Sequence, residues 1–92
     1  MTDRIPVQRV QTGLRIEKRI LKVLKAMAEY LDMSLGDLIE GIVLHVFEGK
    51  LPFSDDHLKK IRAIKDVYDL DLDATHSHLL IEKKERNRES VV

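Results

Sequence analysis

An eight-residue alternation near the start of the chain, Arg-Val-Gln-Thr-Gly-Leu-Arg-Ile at residues 9–16, most constrains the fold. Polar or small residues alternate there with mainly apolar ones, which is the pattern of a half-buried β-strand. A strand leaves its backbone N–H and C=O groups unpaired unless another strand lies beside it. No second segment with this alternation follows, so we expect the partner to be the same strand of a second copy. The sequence therefore predicts a homodimer with one intermolecular, two-stranded antiparallel ribbon.

The length and composition also favour a dimer. A chain of 92 residues buries only a marginal core when it folds alone. It has no cysteine, so neither a disulfide nor a thiolate metal site can stabilise it.

No apolar run approaches the ~18 residues of a membrane span, and the N-terminus lacks the layout of a signal peptide. We therefore expect a cytoplasmic protein without membrane contact.

Helical periodicity dominates the remainder of the chain. We predict helices over residues 17–31, 34–48 and 54–68, because apolar residues recur at i, i+3 and i+4 and Ser34 and Ser54 are good N-caps. The second helix should bury its apolar residues as far as Val46 and Phe47. A last helical turn or two is predicted within residues 75–84, and the charged residues beyond it should be frayed. The predicted fold class is therefore mostly α.

The zero net charge of the chain conceals a strong asymmetry along it. Residues 1–25 carry seven cations and two anions, a net charge of +5, whereas residues 26–56 carry one cation and seven anions, a net charge of −6. A dimer that pairs its N-terminal strands would bring two +5 segments together, which is the footprint expected for a polyanion. The alternative is that these cations form an ordinary solvated helix face.

The outward side chains of the predicted strand suit base recognition. A two-stranded ribbon fits the major groove of double-stranded DNA. There Arg15 would prefer guanine O6 and N7, and Gln11 would prefer adenine N6 and N7. Cations on the arm and the first helix would add salt-sensitive contacts to phosphate; these are Arg4, Arg9, Lys18, Arg19 and Lys22.

The order of a basic strand, a helix, a Ser-capped turn and a second helix resembles the ribbon-helix-helix superfamily, the fold of the Arc and methionine repressors. The resemblance rests on residues 11–16 and on Met33-Ser34-Leu35-Gly36-Asp37-Leu38-Ile39. It implies that Gln11, Gly13 and Arg15 point into the major groove. It also implies that amides at the start of the second helix bind a backbone phosphate; these belong to Ser34, Leu35 and Gly36. Gly13 departs from the family, which usually has a polar or basic side chain there.

The resemblance divides the chain into three parts. Residues 1–8 would be a flexible basic arm, residues 9–49 the dimerisation and DNA-binding domain, and residues 50–92 a helical C-terminal extension. The third helix should pack on the first two, away from the basic strand. The expected dimer core is apolar and consists of Val10, Leu14, Ile16, Leu24, Ile39, Ile42 and Val43.

Two other functions stay open beside that of a homodimeric, sequence-specific transcriptional regulator. One is the antitoxin of a toxin–antitoxin pair, which would bind its toxin through residues 50–80. The other is a dimeric interaction module that keeps the fold and has lost DNA binding.

His76 and His78 are a weak metal-binding pattern because no cysteine supports them, so we expect no metal or cofactor. No catalytic triad or phosphate-binding loop is present in the sequence, so we expect no enzyme activity.

Overall fold

Three α-helices of 13 residues each make up about half of the described chain. A computed structural model of the chain describes residues 4–83. Helix α1 spans Lys18–Tyr30, α2 spans Leu35–Phe47 and α3 spans Asp55–Val67. Each helix lies within one or two residues of the bounds that capping residues and apolar periodicity predicted, which confirms these three helices.

The predicted strand at residues 9–16 is wrong. From residue 4 to residue 17 the chain is neither helix nor strand, and no β-strand forms anywhere in residues 4–83. The alternation of side chains sets only a local preference, whereas a strand requires a neighbour to pair its backbone groups. Gly13 weakens that preference further. The intermolecular ribbon of the predicted ribbon-helix-helix dimer is therefore not observed, and the described architecture is all-helical.

Each helix begins at a side chain that accepts a hydrogen bond from the first helical turn. The Ser34 hydroxyl accepts from the Asp37 amide at 3.1 Å, and the Ser54 hydroxyl accepts from the His57 amide at 3.2 Å. In α1 the cap is Glu17, whose carboxylate accepts from the amides of two residues, Arg19 at 2.8 Å and Ile20 at 2.9 Å. These caps satisfy amides that have no partner within a helix.

Each helix also ends in the same type of turn. The residue after the C-cap is left-handed in all three helices, with φ of 57° at Asp32, 70° at Gly49 and 54° at Asp69. Behind α1, for example, the Met33 amide donates to the Ala28 carbonyl at 3.0 Å. This pairing is that of a Schellman motif, which turns the chain away from the helix axis.

The core is small and is centred on α1. Its fully buried cluster consists of Met27, Ala28 and Leu38, with Val23 buried beside it on α1. Six half-buried apolar side chains pack against the cluster; they are Leu24, Leu31, Ile42, Phe53, Ile61 and Ile64. The last two belong to α3, so the third helix packs on the core of its own chain.

Helices α1 and α3 run antiparallel. The Nζ atom of Lys22, near the start of α1, lies 5.8 Å from the ring centroid of Tyr68 at the end of α3. At the opposite ends of the two helices, the ring centroids of Tyr30 and His57 lie 6.4 Å apart. Helices α2 and α3 are both fully described, and no Cα atom of α2 lies within 8 Å of a Cα atom of α3. Helix α1 is therefore the element against which both others pack.

Two further predictions about the helices are wrong. Val46 and Phe47 were expected inside, but they are 57% and 79% exposed. The predicted helix at residues 75–84 is reduced to one 3-10 turn, Ala74–His76, and residues 77–83 are not helical. The left-handed His78 interrupts helical geometry there. The frayed end expected beyond residue 83 lies outside the described residues.

Candidate nucleic-acid interface

The predicted base-contacting residues lie on an exposed stretch without helix or strand that leads into α1. We call residues 9–16 the N-terminal segment. Gln11, Gly13 and Arg15 are all exposed on it, and a Cβ added at Gly13 would meet no atom within 4 Å. The segment is therefore accessible to a large ligand along most of its length.

Arg15 has an acidic partner far along the sequence. Its Nε donates to Glu82 Oε1 at 3.1 Å, and a second hydrogen bond joins Arg15 Nη2 to Glu82 Oε2. Both side chains remain mostly exposed. The hydrogen bonds and the opposite charges raise the pKa of Arg15 and lower the pKa of Glu82. A carboxylate therefore holds the guanidinium that was predicted to read a base.

Arg9 ties the N-terminal segment to α2. Its Nε donates to Glu40 Oε2 at 2.8 Å, and its Nη2 donates to Glu40 Oε1 at 2.7 Å and to Asp37 Oδ1 at 3.3 Å. This forked contact raises the pKa of Arg9 and lowers the pKa of Glu40. The structure thus brings Arg9 to the first two turns of α2, together with two carboxylates that neutralise it.

The start of α2 contains the predicted phosphate-binding residues Ser34, Leu35 and Gly36. Ser34 acts as a helix cap through its hydroxyl, Leu35 is half-buried and Gly36 is exposed. The first amides of any helix can bind an anion. Asp37 in the first turn of α2 carries a carboxylate, and Arg9 pairs with that carboxylate and with Glu40 one turn further on.

Arg19 of α1 contacts the chain that follows α3. Arg19 Nη1 donates to Asp71 Oδ1 at 3.0 Å and to the Asp69 carbonyl at 2.9 Å, while its Nε donates to Glu17 Oε2 at 3.0 Å. Partial burial pushes the pKa of Glu17 upward, but hydrogen bonds from the amides and the Arg19 guanidinium hold that pKa below its usual value. Lys18, Lys22 and Arg4 are exposed.

The acidic partners of these arginines are the functional residues that sequence reasoning missed. Glu40 lies 31 positions from Arg9 in the sequence. Asp71 lies 52 positions from Arg19, and Glu82 lies 67 positions from Arg15. Of these three, only Asp71 lies in a recognisable sequence pattern, the acidic alternation at residues 69–73. The residues after α3 contact the basic region directly.

The residues predicted for a dimer core have two different environments. Leu24 and Ile42 pack against the core of their own chain, and Ile16, Ile39 and Val43 are half-buried. Val10 and Leu14 are 78% and 69% exposed. Large apolar side chains are also exposed around the end of α2; these are Leu44, Val46, Phe47 and Leu51.

No metal-binding arrangement is found in the described part of the chain, where no three His, Asp or Glu side chains are grouped to hold an ion. His76 instead accepts a hydrogen bond from the Asp73 amide through Nδ1 at 3.0 Å and completes a capping box. Among residues 4–83 no helix has the length and apolarity to cross a membrane.

Comparisons with protein-family models, curated proteins and solved structures give no match to this chain. The resemblance to the ribbon-helix-helix superfamily therefore stays a prediction from the sequence. The function must be argued from the chain's own surface.

Proposed function

We propose that this chain is a homodimeric, sequence-specific DNA-binding regulator that contacts DNA through its N-terminal segment. The observation that carries the proposal is the joint exposure of Gln11, Gly13 and Arg15 on one segment that leads into α1, where Lys18 and Lys22 are also exposed. Arginine and glutamine are side chains that form paired hydrogen bonds with guanine and adenine edges. Lys18 and Lys22 would add phosphate contacts that carry no sequence information.

The dimer is supported by the apolar surface that a single copy leaves in water. Phe47 and Leu51 at the end of α2 are 79% and 83% exposed. Only four apolar residues of the described chain are buried, which is a small core for an independently stable domain. A second copy that covers the end of α2 would remove this apolar surface from water and add stability.

The test begins with selection of bound duplexes from a random DNA pool by the purified full chain. On the selected duplex, Arg15→Ala should weaken binding by about 1–3 kcal/mol and relax the preference for one base. The matched control is Arg62→Ala, which removes an exposed arginine from α3. Equal affinities of wild type and Arg15→Ala for the same sequences would exclude Arg15 as a reader of bases.

A dimeric interaction module is the second candidate, and one observation favours it. Arg9, Arg15 and Arg19 each pair with a carboxylate of the same chain, which reduces their attraction for a polyanion. In that case the selection would enrich no sequence. The antitoxin alternative receives less support, since Ile61 and Ile64 of the proposed toxin-binding region pack on the chain's own core.

A further inference from the structure

The chain that follows α3 returns to the start of α1. We call residues 69–82 the C-terminal segment. It meets the basic region at two separate arginines, because Asp71 and the Asp69 carbonyl bind Arg19 and Glu82 binds Arg15. The two contacts are 11 residues apart on the C-terminal segment and four residues apart on the basic region. The contact therefore joins the C-terminal segment to the residues just before and at the start of α1.

The path of the C-terminal segment is fixed by its own hydrogen bonds. The left-handed Asp69 turns the chain out of α3, and the Lys65 ammonium then donates to the Leu72 carbonyl at 3.1 Å. Asp73 accepts from the Thr75 amide at 2.9 Å and caps the 3-10 turn. Asp71 lies between these anchors, so its position beside Arg19 follows from local structure.

The chemistry of these contacts is that of phosphate binding. A carboxylate and a phosphate oxygen both accept paired hydrogen bonds from the fork of a guanidinium, so they compete for the same donors. Arg15 presents its fork to Glu82, and Arg19 presents Nη1 to Asp71. Any nucleic acid that binds these arginines must first displace the two carboxylates.

We propose that the C-terminal segment is an intrachain competitor of nucleic-acid phosphate, which lowers the affinity of the basic region for DNA through Asp71 and Glu82. This inference rests on the proposed DNA-binding function. The contacts are exposed ion pairs, each of which is individually weak and sensitive to salt. The segment therefore tunes affinity over a limited range and does not block binding outright.

The experiment compares full-length wild type with the double variant Asp71→Asn/Glu82→Gln on one mixed-sequence DNA duplex at several salt concentrations. At low salt the variant should bind roughly three- to tenfold more tightly, the range expected for the loss of two exposed ion pairs. Its slope of log affinity against log salt should also be steeper by about 1–2, because two more cations exchange counterions for phosphate.

The control is Glu29→Gln/Asp55→Asn, which changes the net charge by the same amount. Glu29 lies near the end of α1 and Asp55 at the start of α3, at the far end of the antiparallel pair from Arg15 and Arg19. If this control gains affinity as much as the Asp71/Glu82 variant does, the gain reflects net charge and the competitor proposal is overturned.

The remaining outcomes separate the inference from the proposed function. Binding by wild type with no gain in the Asp71/Glu82 variant overturns the inference alone. Binding by neither protein overturns the proposed function and the inference together. Binding that is about three- to tenfold tighter in the variant than in wild type and in the control supports both.

Discussion

Leu38 is the position where one truncation should damage this fold most. It is 4% exposed and lies in the fully buried cluster with Met27 and Ala28, where α2 meets α1. A buried Leu→Ala change costs about 2–5 kcal/mol from lost transfer energy and the remaining cavity. Half-buried neighbours such as Leu24 and Leu31 can relax into the space, so we expect Leu38→Ala to cost about 3 kcal/mol.

That loss is large for a chain of this size. Stabilities of about 0.05–0.15 kcal/mol per residue give roughly 5–14 kcal/mol for the whole chain. At roughly 4–8 °C for each kcal/mol, the unfolding midpoint should fall by about 12–24 °C. Thermal unfolding followed by circular dichroism measures the midpoint, and urea titration gives the free energy of unfolding.

The matched control is Leu79→Ala, which makes the same chemical change at a side chain that is 70% exposed. Its free energy of unfolding should stay within about 0.5 kcal/mol of wild type, as is usual for surface substitutions. Comparable losses in the two variants would show that the cluster around Leu38 is not the core that stabilises the protein.

Two other predictions concern the first helix and the dimer. Glu17→Ala removes the N-cap of α1 and should cost about 1 kcal/mol at pH 7. Because the pKa of Glu17 is lowered from 4.5 on folding, its contribution is present above that value and is lost as the pH falls through the folded pKa. Midpoints of wild type and variant should therefore converge as the pH falls below 4.5 and through the lowered pKa of Glu17, and a difference that stays constant throughout acidification would contradict the role of the carboxylate. For the dimer, the wild-type midpoint should rise with protein concentration, and Phe47→Ser should remove most of that rise; a wild-type midpoint independent of concentration, with a monomer in sedimentation, would exclude the dimer.

The helices were predictable because their determinants are local. Ser34 and Ser54 accept hydrogen bonds from amides three residues on, so the sequence alone places the two caps. The apolar periodicity then identifies much of the buried face within the same 13 residues, although it also includes the exposed Val46 and Phe47 of α2. The structure of residues 9–16 is not determined locally in this way, since the backbone groups of a strand require a partner that the alternation does not specify. Its pattern therefore predicted a strand that the described chain does not form.

The charge pattern predicted where the cations are but not what they contact. Arg9 and Arg15 were identified from their positions among alternating residues, and both are exposed in the structure. Their partners Glu40 and Glu82 are reached only after the chain has folded back through two and three helices, respectively. Pairing across such separations depends on the packing of α1 with its neighbours, which periodicity does not encode.

The packing of both α2 and α3 on α1, without contact between their backbones, allows the chain to open in parts. If α3 undocked as a unit, the hairpin of α1 and α2 would remain closed, as in sub-global unfolding of other small proteins. The same event would withdraw Asp71 from Arg19, because the C-terminal segment continues directly from α3. Partial unfolding and the appearance of a more basic surface would then be one transition, so a destabilised third helix would strengthen the DNA binding that we propose.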